Sequence, residues 1–247
     1  MSRSEYLLEG LDFSNIKAMD AGTGAGSTTL LLARKVAEAG GKGRIVSIDT
    51  DQTTFADVRE KLAENAGLVQ FVKADLTSMP EIETGSFNLV VCGATICALN
   101  DRPLKALRGL AEFYRVLKKG GRLAIGDEYP LPKPTRREEE VQVMRWQTYK
   151  AIAELIGEGH YTEIYPEELE FAASLVGFKD IEWRRVEGGP LRKETMEEWR
   201  QVMCQLVGEI GDGQARAAFL ASVGRVYERF QREGGNNPPT YEMKMKK

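Results

Sequence analysis

The sequence predicts an α/β protein built on a mostly parallel sheet. Three observations lead there. Strand-like and helix-like stretches alternate through the first half, with short punctuated turns between them. The stretch 87–95 (FNLVVCGAT) is apolar almost throughout, as a strand buried on both faces must be. A turn carrying Gly22, Gly24 and Gly26 follows the first strand and precedes the first long helix. Right-handed crossovers between such strands cover both faces of the sheet with helices.

The elements follow in order. Residues 16–21 (IKAMDA) read as a strand, and 26–39 as a helix stopped by Gly40 and Gly41. Residues 44–49 (RIVSID) form the second strand. The next helix, 52–65, places Phe55, Val58 and Leu62 on one face. Strands follow at 69–76 and 87–95, then a helix at 103–118 with Asp101 as N-cap and Pro103 in its first turn. The expected buried stripe of that helix is Leu104, Leu107, Ala111, Tyr114 and Leu117, and Gly120-Gly121 ends it. Residues 122–129 (RLAIGDEY) are the fifth strand.

The pattern changes after Tyr129. A proline-rich, charged segment leads to a long helix at about 136–157, with a stripe of Val141, Met144, Thr148, Ala151 and Leu155. A turn, GEGHYTEIYP, precedes a helix at 166–176 and a strand at 178–188. Helices at 195–210 and 213–233 carry Met196, Trp199, Met203, Leu206 and Phe219, Val223, Val226, Phe230. The last residues, TYEMKMKK, alternate like a closing edge strand. The chain 1–247 thus reads as a single domain, with a core at 14–130 and helical insertions at 131–165 and 190–235.

Bulk properties narrow the function. No run of about 18 apolar residues exists, so no membrane span is expected. The amino terminus lacks the pattern of a secretory signal, and the three cysteines, Cys92, Cys97 and Cys204, suit a cytoplasmic protein better than a disulfide framework. A net charge of -3 argues against a broad nucleic-acid surface, despite the basic clusters RVLKKGGR and KMKK.

The glycine turn, MDAGTGAG, lets a ligand approach the backbone beside a helix amino end. A dinucleotide fingerprint needs a third glycine at position 27, which is Ser27. A phosphate-binding P-loop needs a Gly-Lys pair that is absent here. Asp49 ends the second strand and so faces the same crevice, where a carboxylate accepts both hydroxyls of a ribose. That leaves nicotinamide and other adenosine ligands equally open. Asp75, at the end of the third strand, adds an acceptor for an adenine amine.

With these residues in place, the chain resembles the class I S-adenosylmethionine-dependent methyltransferases over about 14–130, and more loosely over 166–188 and 240–247. The resemblance implies S-adenosyl-L-methionine as cofactor and a Rossmann-like, doubly wound, seven-stranded sheet of order 3-2-1-4-5-7-6 with an antiparallel last strand. It puts Asp20 near the methionine amine and Gly22, Thr23, Gly24 and Gly26 under the cofactor. It makes Asp49, with Thr50, the ribose site, and sets Asp75 and Leu76 beside the adenine. The backbone at Cys92 and Gly93 would meet the methionine part. The family's common Phe-Asp is here Phe87-Asn88. No Asn/Asp-Pro-Pro-aromatic motif follows the fourth strand, and no Pro-Cys dipeptide is present, so amide-nitrogen and cytosine-carbon acceptors are disfavoured.

Methyl transfer from a sulfonium needs alignment and dryness more than a base. Candidate catalytic residues are therefore sparse: Glu128 and Tyr129, with Asp127, at the end of the fifth strand, and His160, the one histidine. Tyr161, Tyr165 and Trp146 read mainly as packing residues. Cys92 and Cys97 read as buried small hydrophobes, and no zinc-ligand spacing occurs. The expected acceptor is a small molecule beneath the insertions. Competing readings are a non-catalytic S-adenosylmethionine-binding subunit, and an enzyme acting on a protein or RNA.

Overall fold

The computed structural model describes residues 5–100 and 104–247. Asp101 and Pro103, expected at the start of a helix, lie outside the described residues. Among the described residues no helix is long and apolar enough to cross a membrane.

The chain divides into two units, one comprising 1–128, 163–185 and 241–247, the other 129–162 and 186–240. The first opens with α1 (Glu5–Leu8) and β1 (Lys17–Ala21), then α2 (Ser27–Glu38), β2 (Arg44–Asp49) and α3 (Phe55–Leu62). A 3-10 turn (Ala63–Leu68) leads into β3 (Val69–Lys73) and β4 (Phe87–Gly93). There follow α4 (Ile96–Leu99), α5 (Lys105–Val116) and β5 (Leu117–Glu128), and after the first insertion α7 (Pro166–Val176) and β6 (Lys179–Val186). The final strand is β7 (Thr240–Lys246). The sheet order is β3-β2-β1-β4-β5-β7-β6, with the last strand antiparallel, as the resemblance implied. β1 pairs in parallel with β2 on one side and β4 on the other, and Asp20 lies opposite Ser47. A cluster of Ala18, Leu32, Val36, Ile45, Val58, Leu89 and their neighbours fills one face.

Three local expectations differ from what is observed. The buried face of α5 is Ala106, Gly109, Leu110, Phe113 and Val116, whereas Leu104 is 70% exposed and Ala111 points outward. The helix sequence carries two interleaved apolar stripes, and the strand starting at Leu117 selects between them. Gly109 lets Leu99 approach, since a Cβ there would lie 2.9 Å from Leu99 Cδ1. Second, β5 begins at Leu117 rather than 122, running through the double glycine with a shift in its register against β4 between Phe87 and Leu89. Third, the alternation of TYEMKMKK read as an edge strand, whereas β7 lies between β5 and β6, the place the resemblance implied. Its alternation reports faces rather than edges. Tyr241, Met243 and Met245 face the core, while Glu242 on the other face binds Arg184 of β6 at 2.6 Å.

The second unit is helical. After a 3-10 turn (Arg137–Glu139) come α6 (Glu140–Ile156), α8 (Lys193–Gly208) and α9 (Gly213–Glu233). Val141, Met196 and Val226 form one cluster and Ile152, Met203, Val207 and Val223 another. Leu155, expected in the α6 stripe, is 54% exposed, and Ile152 takes its place one turn earlier. Arg229 pairs with Glu140, and Arg136 with Glu187, within this unit.

Candidate functional site

Because β1 has β2 on one side and β4 on the other, the turn after Ala21 opens at the switch point of the sheet, where strand order reverses. Gly22 and Thr23 both donate their N–H to the Ile48 carbonyl, at 2.9 and 3.0 Å, and Gly26 donates to the Thr23 carbonyl at 2.8 Å. The glycines serve different ends. A Cβ on Gly22 (φ +95) would fall 2.3 Å from Thr95 Oγ1, and one on Gly26 (φ +87) 2.6 Å from Val58 Cγ1. Gly93, at the end of β4, is equally constrained, by Thr28 Oγ1 at 2.8 Å. Gly24 (φ +47) is different, since a Cβ there would meet no protein atom within 4 Å.

Asp49 is part-exposed and clasps the turn to β2. Its Oδ2 accepts the Gly24 N–H at 2.9 Å, and its Oδ1 accepts the Asp51 N–H at 3.0 Å. Thr50 is exposed beside it. Asp75 lies beyond the end of β3, which stops at Lys73. Its Oδ1 accepts both the N–H and the hydroxyl of Thr77 at 2.8 Å, so it forms a turn of its own. Partial burial works to raise its pKa, but the Thr77 bonds and the charges of Lys105 and Arg108 outweigh that and lower it. Leu76 is buried next to it.

Asp20 stands apart from the other two acids because it is wholly buried. Its Oδ2 accepts from Thr29 Oγ1 at 2.5 Å and from Ser47 Oγ at 3.3 Å, while Oδ1 has no hydrogen-bond partner. Burial pushes its carboxyl up to about 7, against the Thr29 and Ser47 bonds and with help from the charge of Asp49. Neither Ser47 nor Thr29 was singled out from the sequence. A polar residue inside an otherwise apolar buried strand, as Ser47 is in RIVSID, was the available signal.

At the end of β5, Asp127 is buried and caps the short helix α4. Its Oδ2 accepts the Cys97 N–H at 3.0 Å and its Oδ1 the Glu128 N–H at 2.7 Å. Burial raises its pKa against these bonds. Cys92 and Cys97 are buried, with thiol pKa values raised by desolvation, so both side chains sit as protonated apolar groups. Tyr241, which sequence reasoning passed over, is wholly buried with an unpartnered hydroxyl in the field of Asp127, Cys92 and Cys97. Among the proposed catalytic residues, Glu128 belongs to the sheet unit and Tyr129 and His160 to the helical one. His160 faces Glu154 at 3.5 Å, and its Nδ1 lies 3.4 Å from the Tyr161 carbonyl. Tyr129 donates its N–H to the Pro239 carbonyl.

Comparison with known proteins agrees with the topology. The model of a family described as "Methyltransferase domain" matches residues 12–174. An arsenite methyltransferase of Halobacterium salinarum is 34% identical over 110 residues, 44% of this chain and 26% of that protein. A ubiquinone/menaquinone biosynthesis C-methyltransferase of Marinomonas is 29% identical over 109 residues, 43% of this chain and 40% of that protein. The chain thus spans less than half the length of these curated relatives. Among solved structures, a candidate methyltransferase of Bacillus halodurans shares the fold with TM-score 0.62 and 17% identity, covering 100% of this chain and 99% of that one. A [4+2]-cyclase, SpnF, shares it with TM-score 0.58 and 20% identity, covering 98% of this chain and 79% of that one. With the family match over most of its length and the seven-stranded topology around a glycine turn, the chain belongs to the class I S-adenosylmethionine-dependent methyltransferases.

Proposed function

We propose that this protein transfers a methyl group from S-adenosylmethionine to a small-molecule acceptor. The observation that carries this reading is the glycine turn at the switch point, held to β2 by the Gly24–Asp49 bond. The residues fit the donor. Gly24 leaves room at the backbone that a side chain would fill. A carboxylate has about four acceptor sites, and the Gly24 and Asp51 N–H groups occupy one on each oxygen of Asp49. Gly26 offers α2 no side-chain cap, so N–H groups of that first turn remain for a ligand.

When bound, S-adenosylmethionine supplies a methyl carbon already activated by its sulfonium. What this chain contributes is position and exclusion of water. Asp49 and Thr50 hold the ribose, Asp75 and Leu76 flank the adenine, and Gly22, Thr23, Gly24 and the Cys92–Gly93 backbone bound the methionine part. Gly26 fixes the turn's exit into α2. Glu128, Tyr129 and His160 are the candidates for contact with the acceptor. His160 faces Glu154 at 3.5 Å. The helical unit serves to choose the acceptor. Relatives named for arsenite and quinone methylation support a small-molecule substrate.

Calorimetry with S-adenosylmethionine and NAD tests the donor. The first should bind, and Asp49→Ala should weaken it about 10–100-fold, since that variant removes charge-assisted bonds. Tighter binding of NAD, or an unchanged Kd in Asp49→Ala, would sink the assignment. A donor-binding protein without transfer is the second reading, since a [4+2]-cyclase shares the fold and the fold does not by itself fix methyl transfer. Incubation with methyl-labelled donor and a metabolite extract separates the two. Label in small molecules supports the enzyme, and no transfer in any extract supports the binder.

A further inference from the structure

The buried acid of the glycine turn does not reach out of the protein, yet it is tied to the turn by hydroxyls. Thr23 Oγ1 lies 2.7 Å from Ser47 Oγ, which lies 2.8 Å from Thr29 Oγ1, which donates to Asp20 Oδ2 at 2.5 Å. Thr23, Ser47, Thr29 and Asp20 are all buried. These come from four places: the turn, β2, the first turn of α2, and the end of β1. Each hydroxyl has one proton to give. An ionised Asp20 can only accept, so it fixes the direction of the whole chain. Thr29 donates to Asp20, Ser47 donates to Thr29 or Asp20, and Thr23 donates to Ser47. Thr23 is the residue whose N–H binds Ile48 and whose carbonyl receives Gly26. Anchoring its side chain therefore fixes the turn at a third point.

We infer that Asp20 is a positioning residue which holds the glycine turn in its donor-binding shape through a directed Thr29–Ser47–Thr23 hydroxyl relay, without itself touching the donor. The inference rests on the donor assignment made above. It also fits the absence of a side-chain cap at Gly26, because Asp20 accepts from the Thr29 hydroxyl in the first turn of α2.

A protonated Asp20 loosens the relay. With the proton on Oδ1, Oδ2 accepts only as a neutral carbonyl, and with it on Oδ2 the direction of the chain is no longer fixed. The titratable groups that act on Asp20 or feel it are Asp49 at the end of β2, whose charge raises it, and the Cys92 thiol of β4, which stays protonated. Donor affinity should therefore fall as pH drops through about 7.

Calorimetric titration of S-adenosylmethionine into the full chain from pH 6 to 8.5 tests this. Thr29→Val and Ser47→Ala should each weaken binding about tenfold at pH 8, the size of one hydrogen bond to a charged group. The double variant should lose about as much as either single one, because both break one chain. Thr29→Ser, which keeps the hydroxyl, should restore affinity. Asp20→Asn should bind weakly and lack the wild-type fall below pH 7. Should Asp20→Asn fail to fold, by circular dichroism, the Ser47→Ala and Thr29→Ser pair still decides. Affinities of Thr29→Val and Ser47→Ala within twofold of wild type would overturn the relay while leaving the donor site intact. Wild type that binds no donor would overturn the donor assignment and the relay with it.

Discussion

Gly22 and Gly24 lie two residues apart and have the same backbone handedness, but they should respond differently to a methyl group. Gly22→Ala places its Cβ against Thr95, so it should cost about 2–4 kcal/mol of stability from backbone strain plus overlap. Gly24→Ala meets no protein atom and should cost only about 1–2 kcal/mol from its left-handed backbone. Yet it should weaken donor binding strongly, because it fills the cradle. Urea unfolding beside calorimetry reads both quantities, and equal stability losses in the two variants would contradict the division of roles. Both glycines were legible as a ligand turn, since three glycines after a strand have few other uses. Their separate duties were not, because Thr95 is about seventy residues away in the chain. Asp20 shows the same limit. Its position at a strand end is local knowledge, whereas its burial depends on Ser47 and Thr29 arriving from other elements.

At the scale of elements, strands and long helices were legible because their periods are short and regular. Helix α7 was expected at 166–176 and is observed there, with Pro166 in its first turn and Gly177 (φ +115) ending it. The helix α4 escaped because four residues hold no period. Asp127 substitutes for local capping there, accepting the Cys97 N–H from across the β4–β5 ends. Asp127→Ala should destabilise the sheet unit by about 1–3 kcal/mol, the cost of leaving buried N–H groups unmet. A melting temperature equal to wild type would show that α4 does not depend on this carboxylate. The phase of α5 is ambiguous in the sequence for a related reason. Two stripes of similar apolarity exist, and only the neighbours Leu99 and the strand entry at Leu117 distinguish them.

At the scale of the whole molecule, pH separates two kinds of buried acid. Glu139 accepts from Thr135 and Arg136, and although burial works to raise it, these bonds hold its pKa down at about 2. Its contribution is present above the ordinary value of 4.5 and is lost as pH falls toward 2. Asp20 works in the opposite sense. Its folded-state pKa is above the unfolded one, so the folded chain holds more protons between 3.8 and about 7, and stability declines as pH rises through that window. Asp20→Asn should remove the decline, so its stability curve should converge on or cross that of wild type toward pH 8. Parallel curves from urea unfolding between pH 4 and 8 would refute that linkage.

The helical unit has its own prediction. Trp146 stacks on Tyr149 at 5.4 Å and on Tyr161 at 6.2 Å, and its indole N–H is buried without a partner. If this unit selects the acceptor, Trp146→Ala should leave the donor Kd within about twofold and lower transfer about tenfold or more. Loss of donor affinity instead would assign the unit to the donor.

The sequence alone determined the sheet class, the ligand turn and the acids at or just beyond three strand ends. Such features are local: a strand's period, a glycine's missing Cβ and a carboxylate at a strand terminus have the same consequence wherever the chain goes next. Tertiary structure alone decided which face of α5 is buried, where β5 begins, and that Asp20 works through Thr29, Ser47 and Thr23. Each of those depends on which surfaces meet across long chain separations, and burial, which gives a buried carboxylate its chemistry, exists only once they have met.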